Sequence, residues 1–81
     1  MSKFYIEVHS TMTDDTFYLS SSDVNAVELS IPLVKKFIHS QSEAEYLQYL
    51  HDIELNGLAF ECDWSDEMEN WDRVAYIEDR F

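Results

Sequence analysis

The sequence predicts an α+β fold, a small antiparallel sheet of about four strands with helices on one face. Two observations support this class. Apolar and polar residues alternate near both ends of the chain, as in half-buried strands. Between them, apolar residues recur at helical spacing. The expected element order is β-β-α-α-β-β, and 81 residues suffice for a single domain spanning residues 1–81.

The first two strands are expected to form a β-hairpin. Residues 3–9 alternate with a period of two, residues 10–15 are rich in turn formers, and the alternation resumes over residues 16–20. In this pattern Tyr5 and Tyr18 share the outer face of the hairpin.

The first helical segment is ambiguous because it contains the only proline. Apolar residues over 21–41 recur at helical spacing, but Pro32 would fall in the middle of one long helix. A helix that starts at Ser30 would instead place Pro32 in its first turn, where the missing amide is harmless. We therefore expect a break or kink near Ser30, and a break would divide this segment into two short helices.

The second helix has clear signals at both ends. Ser42 and Glu45 have the spacing of a capping box, and Asn56-Gly57 supplies a residue pair that favours a left-handed exit. These signals predict a helix over residues 42–55.

Two further strands are predicted, separated by a polar connector. Residues 58–63 alternate, which places Cys62 on the apolar face as a small core residue. Residues 64–71 are polar with a tryptophan at each end, and residues 73–79 read as the last strand. Two hairpins around a helical segment imply an antiparallel sheet.

Charge is the strongest functional signal. The chain has 17 acidic and 5 basic residues and a net charge of −12, concentrated in residues 43–81. Such a charge opposes contact with nucleic acid or an anionic membrane and favours a basic protein partner. Solubility alone needs a smaller charge, of about 2–8.

Catalysis and metal binding are not indicated. The three histidines and Cys62 form no convincing nucleophile–base pattern, and a chain with one glycine has no phosphate-cradling loop. The acidic stretch at residues 63–72 lacks the glycine and glutamate spacing of an EF-hand, and no zinc-ligand spacing exists. We expect no cofactor and no metal. An enzyme using a carboxylate pair remains an alternative.

Cysteine usage and hydropathy predict a location. One cysteine cannot form an internal disulfide, and the N-terminal residues lack the apolar stretch of a signal peptide. No segment approaches the roughly 20 apolar residues of a membrane span. We expect a protein of the reducing cytoplasm, as a monomer or small homo-oligomer.

The acidic residues could imitate a nucleic acid backbone. Alternate strand residues lie about 6.6 Å apart, and one helical turn separates residues by about 5.4 Å, both close to the phosphate spacing along one strand. Tryptophan beside charge is typical of binding hot spots, although both tryptophans could equally cover the core. The predicted partner-binding residues are Glu45, Asp52, Glu61, Asp63, Trp64, Asp66, Glu67, Glu69, Trp71 and Asp72.

In length, acidity and the acidic stretch from Glu61 to Asp72, the chain resembles phage-encoded anti-CRISPR proteins and related anti-restriction DNA mimics. This resemblance implies a stoichiometric inhibitor, acting in the cytoplasm of a bacterial host. It would occupy a basic DNA-recognition surface of a CRISPR-Cas effector subunit and exclude target DNA. Two other classes stay open: an immunity protein or antitoxin that neutralises a basic nuclease toxin, and an acidic adaptor or structural phage protein.

Overall fold

The computed structural model describes residues 3–10 and 14–79, which form a four-stranded mixed sheet and two helices. This arrangement confirms the α+β class. The elements are β1 (Phe4–Ser10), β2 (Asp15–Ser21), α1 (Val24–Ile38), α2 (Glu43–Leu55), β3 (Ala59–Glu61), a short 3₁₀ helix (Asp66–Asn70) and β4 (Asp72–Asp79).

The strand order is β3-β2-β1-β4. The first hairpin is confirmed, since β1 and β2 pair antiparallel, as do β2 and β3. The expected second hairpin is wrong, because β4 pairs with β1 in parallel at the edge opposite β3. The sheet is therefore mixed. Ten residues connect β3 to β4, and when extended they reach about 33 Å. The distance across three strand spacings is about 14 Å, so this segment is long enough to cross the sheet.

The apolar core lies between the sheet and the helices. Ile6 and Val8 of β1 and Leu19 of β2 point to the same face and are almost completely buried. α1 contributes Val27, Val34 and Phe37 to this cluster, α2 contributes Ile53, and β4 contributes Ile77.

α1 continues past Pro32, so the expected break near Ser30 is wrong. Pro32 lies on the exposed side of α1, where water can hydrate the carbonyl oxygen that lacks an amide partner. Val27 and Val34, on either side of the proline, are both fully buried. Their packing outweighs the local cost of the proline.

A hydrogen-bonded pair joins the two helices. The buried Ser30 hydroxyl donates to the Ala26 carbonyl oxygen at 2.8 Å and accepts from Asn56 Nδ2 at 3.1 Å. Asn56 caps the C-terminus of α2. The end of α2 is therefore fixed against the middle of α1.

The predicted second helix is confirmed. Ser42 is the N-cap of α2 and its hydroxyl accepts from the Glu45 amide at 3.2 Å. Gly57 follows the helix with a φ of +85°, the left-handed conformation that glycine adopts without strain.

Candidate functional site

The connector between β3 and β4, residues 62–71, crosses the face of the sheet that the helices leave uncovered. We call this the outer face. Tyr5 and Tyr18 point to it because they alternate with the core residues of β1 and β2. The Trp64 ring packs edge-on against Tyr5 at 5.9 Å and Tyr18 at 5.4 Å. The connector therefore lies against the sheet.

The connector is packed at several points along its length. Met68 is 1% exposed, and its sulfur accepts from the Ser65 amide at 3.4 Å. The Asp72 amide donates to the Lys3 carbonyl oxygen at 3.0 Å. Lys3 Nζ also lies 4.8 Å from the centre of the Trp71 ring. These contacts hold the connector in a defined position on the outer face.

Eight of the ten predicted partner-binding residues lie on one continuous segment, from Glu61 to Asp72. Apart from Glu61, the acidic side chains of this segment are exposed: Asp63, Asp66, Glu67, Glu69 and Asp72. Glu61 and Trp71 are half-buried. Trp64 packs against Tyr5 and is itself 45% exposed, so one part of its surface is covered and another is open to solvent.

The remaining two predicted residues lie apart from this segment. Glu45 and Asp52 belong to α2, in the helical layer on the other side of the sheet. Asp52 is half-buried and accepts from Gln48 Nε2 at 3.1 Å. Helical spacing gave no information on which side of the sheet α2 packs, so the sequence could not show that these two acids lie away from the connector.

The outer face also includes residues that the sequence did not single out. Glu7 on β1 lies beside Tyr18 on β2 and Tyr76 on β4. Arg73 lies 3.6 Å from the Glu7 carboxylate and 5.8 Å from the centre of the Tyr76 ring, which is 47% exposed. Strand alternation placed Glu7 on the polar side, but only the parallel pairing of β1 with β4 brings it near Tyr76.

Tyr5 and Tyr18 share the outer face as predicted, with their rings 6.0 Å apart. Burial raises the pKa of the Tyr18 hydroxyl above its ordinary value of 10.0, and the nearby Glu7 and Tyr5 add to this rise. A phenolate at this position would lose hydration and face the Glu7 carboxylate.

We expect Trp64→Ala and Glu7→Gln each to lower the pKa of Tyr18 towards 10.0, because the first restores hydration and the second removes a negative charge. Because the folded-state pKa exceeds the unfolded one, Tyr18 contributes stability below pH 10 that is lost as the pH rises through the folded-state pKa. Nuclear magnetic resonance titration of the Tyr18 ring signals, followed separately from those of the other four tyrosines, measures the shift. Glu54→Gln on α2 is the control, and an equal shift in this control would contradict the assignment.

Cys62 is exposed, so its predicted place in the core is wrong. β3 ends at Glu61, one residue earlier, so Cys62 follows the paired strand and its side chain stays exposed. Cys62 instead begins the connector.

His9 joins the two strands of the first hairpin near its turn. Its Nδ1 lies 2.9 Å from the Thr16 hydroxyl and its Nε2 lies 3.3 Å from the Asp14 carboxylate. Asp14 is exposed and has a φ of +57°. These contacts brace the end of the hairpin. Among the residues that the structure describes, no group of three or more His, Cys, Asp or Glu side chains could hold a metal ion.

No family model, curated protein or solved structure matches the chain. Within residues 3–10 and 14–79, no helix is both long enough and apolar enough to cross a membrane.

Proposed function

We propose that the protein is a stoichiometric inhibitor of the anti-CRISPR kind, which binds a basic DNA-recognition surface of a Cas effector through its connector and blocks target DNA. The observation that carries this proposal is the placement of five exposed acids on one packed segment around a half-exposed tryptophan. The protein acts by binding and catalyses no reaction.

Electrostatics favours this kind of partner. The net charge of −12 attracts a cationic groove and repels DNA, so the protein competes with DNA for a surface without binding DNA itself. Opposite charges accelerate encounter between the two proteins and make their association sensitive to salt.

Packing supplies the second requirement, which is a fixed arrangement of the binding groups. Trp64 is held by two tyrosine rings, and Met68 is buried beneath the exposed acids that flank it in sequence. A segment that is already ordered loses less conformational entropy on binding than a mobile acidic tail would. Trp64 also offers aromatic surface of the kind enriched in binding hot spots.

The test is competition between the protein and target DNA for a purified DNA-binding Cas effector, repeated at rising salt concentration. We expect the protein and DNA to exclude each other, and the affinity of the protein to fall steeply with salt. A stable ternary complex of protein, effector and DNA, or binding that salt leaves unchanged, would contradict the proposal. Specific capture of a nuclease toxin instead of the effector would favour an immunity protein.

A further inference from the structure

A cleft of about 680 Å³ opens on the helical side of the sheet, away from the connector's acidic surface. It lies between the turn joining α1 to α2 and the adjoining ends of β1, β2 and β3. Its size falls within the range of small-ligand sites, about 300–1,000 Å³. The proposed function makes no use of this cleft.

Four aromatic rings line the cleft in two orientations. Phe17 and Phe60, on neighbouring strands, lie 6.1 Å apart with their planes at 25°. Phe37 and Tyr46, on the two helices, lie 4.6 Å apart with their planes at 30°. The Phe37 ring makes an angle of 80° with Phe17 and 58° with Phe60, so the two pairs form walls that are steeply inclined to each other.

The ionised side chains of the described cleft lining are all of one sign. Glu43, in the first turn of α2, is an exposed carboxylate in the lining, and none of the described lining residues is a lysine, arginine or histidine. The chain as a whole carries a net charge of −12. An anionic ligand would therefore be repelled, whereas a cation would be attracted by both the carboxylate and the faces of the rings.

We propose that this cleft binds a small organic cation with an apolar body and an alkylated ammonium group. The aromatic walls pack against the apolar body and attract the ammonium group, and Glu43 balances its charge at the rim. A neutral ligand of the same shape would gain the packing and lose both electrostatic contributions.

The test uses phenyltrimethylammonium and its neutral isostere tert-butylbenzene as probes, in nuclear magnetic resonance titrations of the full chain. We expect saturable shifts in the signals of Phe17, Tyr46 and Phe60 with the cation, and clearly weaker binding of the neutral probe. Bound cation is also expected to slow alkylation of Cys62, whose exposed thiol lies in the cleft lining. Equal affinity for the two probes, or no saturable shift with the cation, would overturn the proposal.

Two matched variants test whether the Glu43 carboxylate contributes to cation binding. Glu43→Gln is expected to weaken cation binding about two- to fivefold, the range of an exposed charge pair. Glu45→Gln removes the same charge from the same helical turn but lies outside the cleft lining, and we expect it to bind the cation as the parent does. Equal weakening by both variants would show only a general field effect and would overturn the assigned role of Glu43.

The cleft could instead be covered by a second copy of this chain in a dimer. Analytical ultracentrifugation with and without the cation distinguishes the two cases. A dimer that the cation dissociates would identify a second copy of this chain as the occupant and would overturn the ligand proposal. An unchanged sedimentation coefficient together with saturable shifts supports it.

Discussion

Reversing two connector charges together, Asp66→Lys with Glu67→Lys, is expected to slow association with the basic partner by about ten- to a thousandfold. This is the range in which electrostatic steering alters association rates. Both side chains are exposed and belong to the short 3₁₀ helix of the connector, so the change places two cations at the centre of the proposed contact. Repulsion between like charges would also destabilise the complex once it has formed. Stopped-flow or surface-plasmon measurements at low salt concentration give the rate.

The control must alter net charge equally without touching the connector. Glu28→Lys with Glu54→Lys does this, because both residues are exposed on the helices. Each double variant makes the same change from the net charge of −12. We expect the control to slow association far less than the connector variant. Equal slowing would mean that the partner responds to overall charge and would refute the assignment of the contact to the connector.

Truncating the anchor of α2, Ile53→Ala, is expected to destabilise the fold by about 2–5 kcal/mol. Ile53 is 0% exposed and is the only fully buried residue of α2, so its side chain supplies the main contact between this helix and the core. The melting temperature is expected to fall by at least about 8 °C. Because small domains have unfolding free energies of about 5–15 kcal/mol, the variant retains only part of its stability.

Leu55→Ala is the matched control for this loss. Leu55 lies two residues further along the same helix and is 71% exposed, so its truncation removes little buried surface. We expect its unfolding free energy to stay within about 0.5 kcal/mol of the parent value. Denaturant unfolding followed by circular dichroism compares the three proteins. A comparable loss in both variants would contradict the role of Ile53 as the buried anchor, because both changes introduce alanine, a strong helix former, and differ mainly in burial.

Local signals in the sequence predicted the elements that local interactions determine. The alternation around Tyr5 and Tyr18 indicated the first hairpin, and Ser42 with Gly57 indicated both ends of α2. The prediction of a break near Pro32 considered only the local cost of a proline inside a helix. In the structure the buried side chains of Val27 and Val34, on either side of Pro32, stabilise α1 as one helix. Tertiary packing outweighed the local rule at that position.

Long-range pairing was not accessible to the same reasoning. The connector after Glu61 could return β4 to pair with β3 as a hairpin, or it could carry β4 across the sheet to pair with β1. The residues of β4 do not distinguish these two pairings. The acidic segment itself was evident, because its side chains are contiguous in the sequence. The separation of Glu45 and Asp52 from it, and the position of Glu7 beside Tyr76, depended on the sheet order.

The parallel pairing of β1 with β4 also determines when the fold can be completed. β1 is the first strand of the described residues, yet one of its two neighbours is β4, the strand furthest from it in the described sequence. Until β4 emerges from the ribosome, β1 presents an open edge of unpaired amide and carbonyl groups, which other chains can use for pairing. A pairing across nearly the whole chain also carries a large loop-closure cost. The sheet is therefore expected to be completed only once β4 has been synthesised, with β1 as the segment most exposed to misassembly until then.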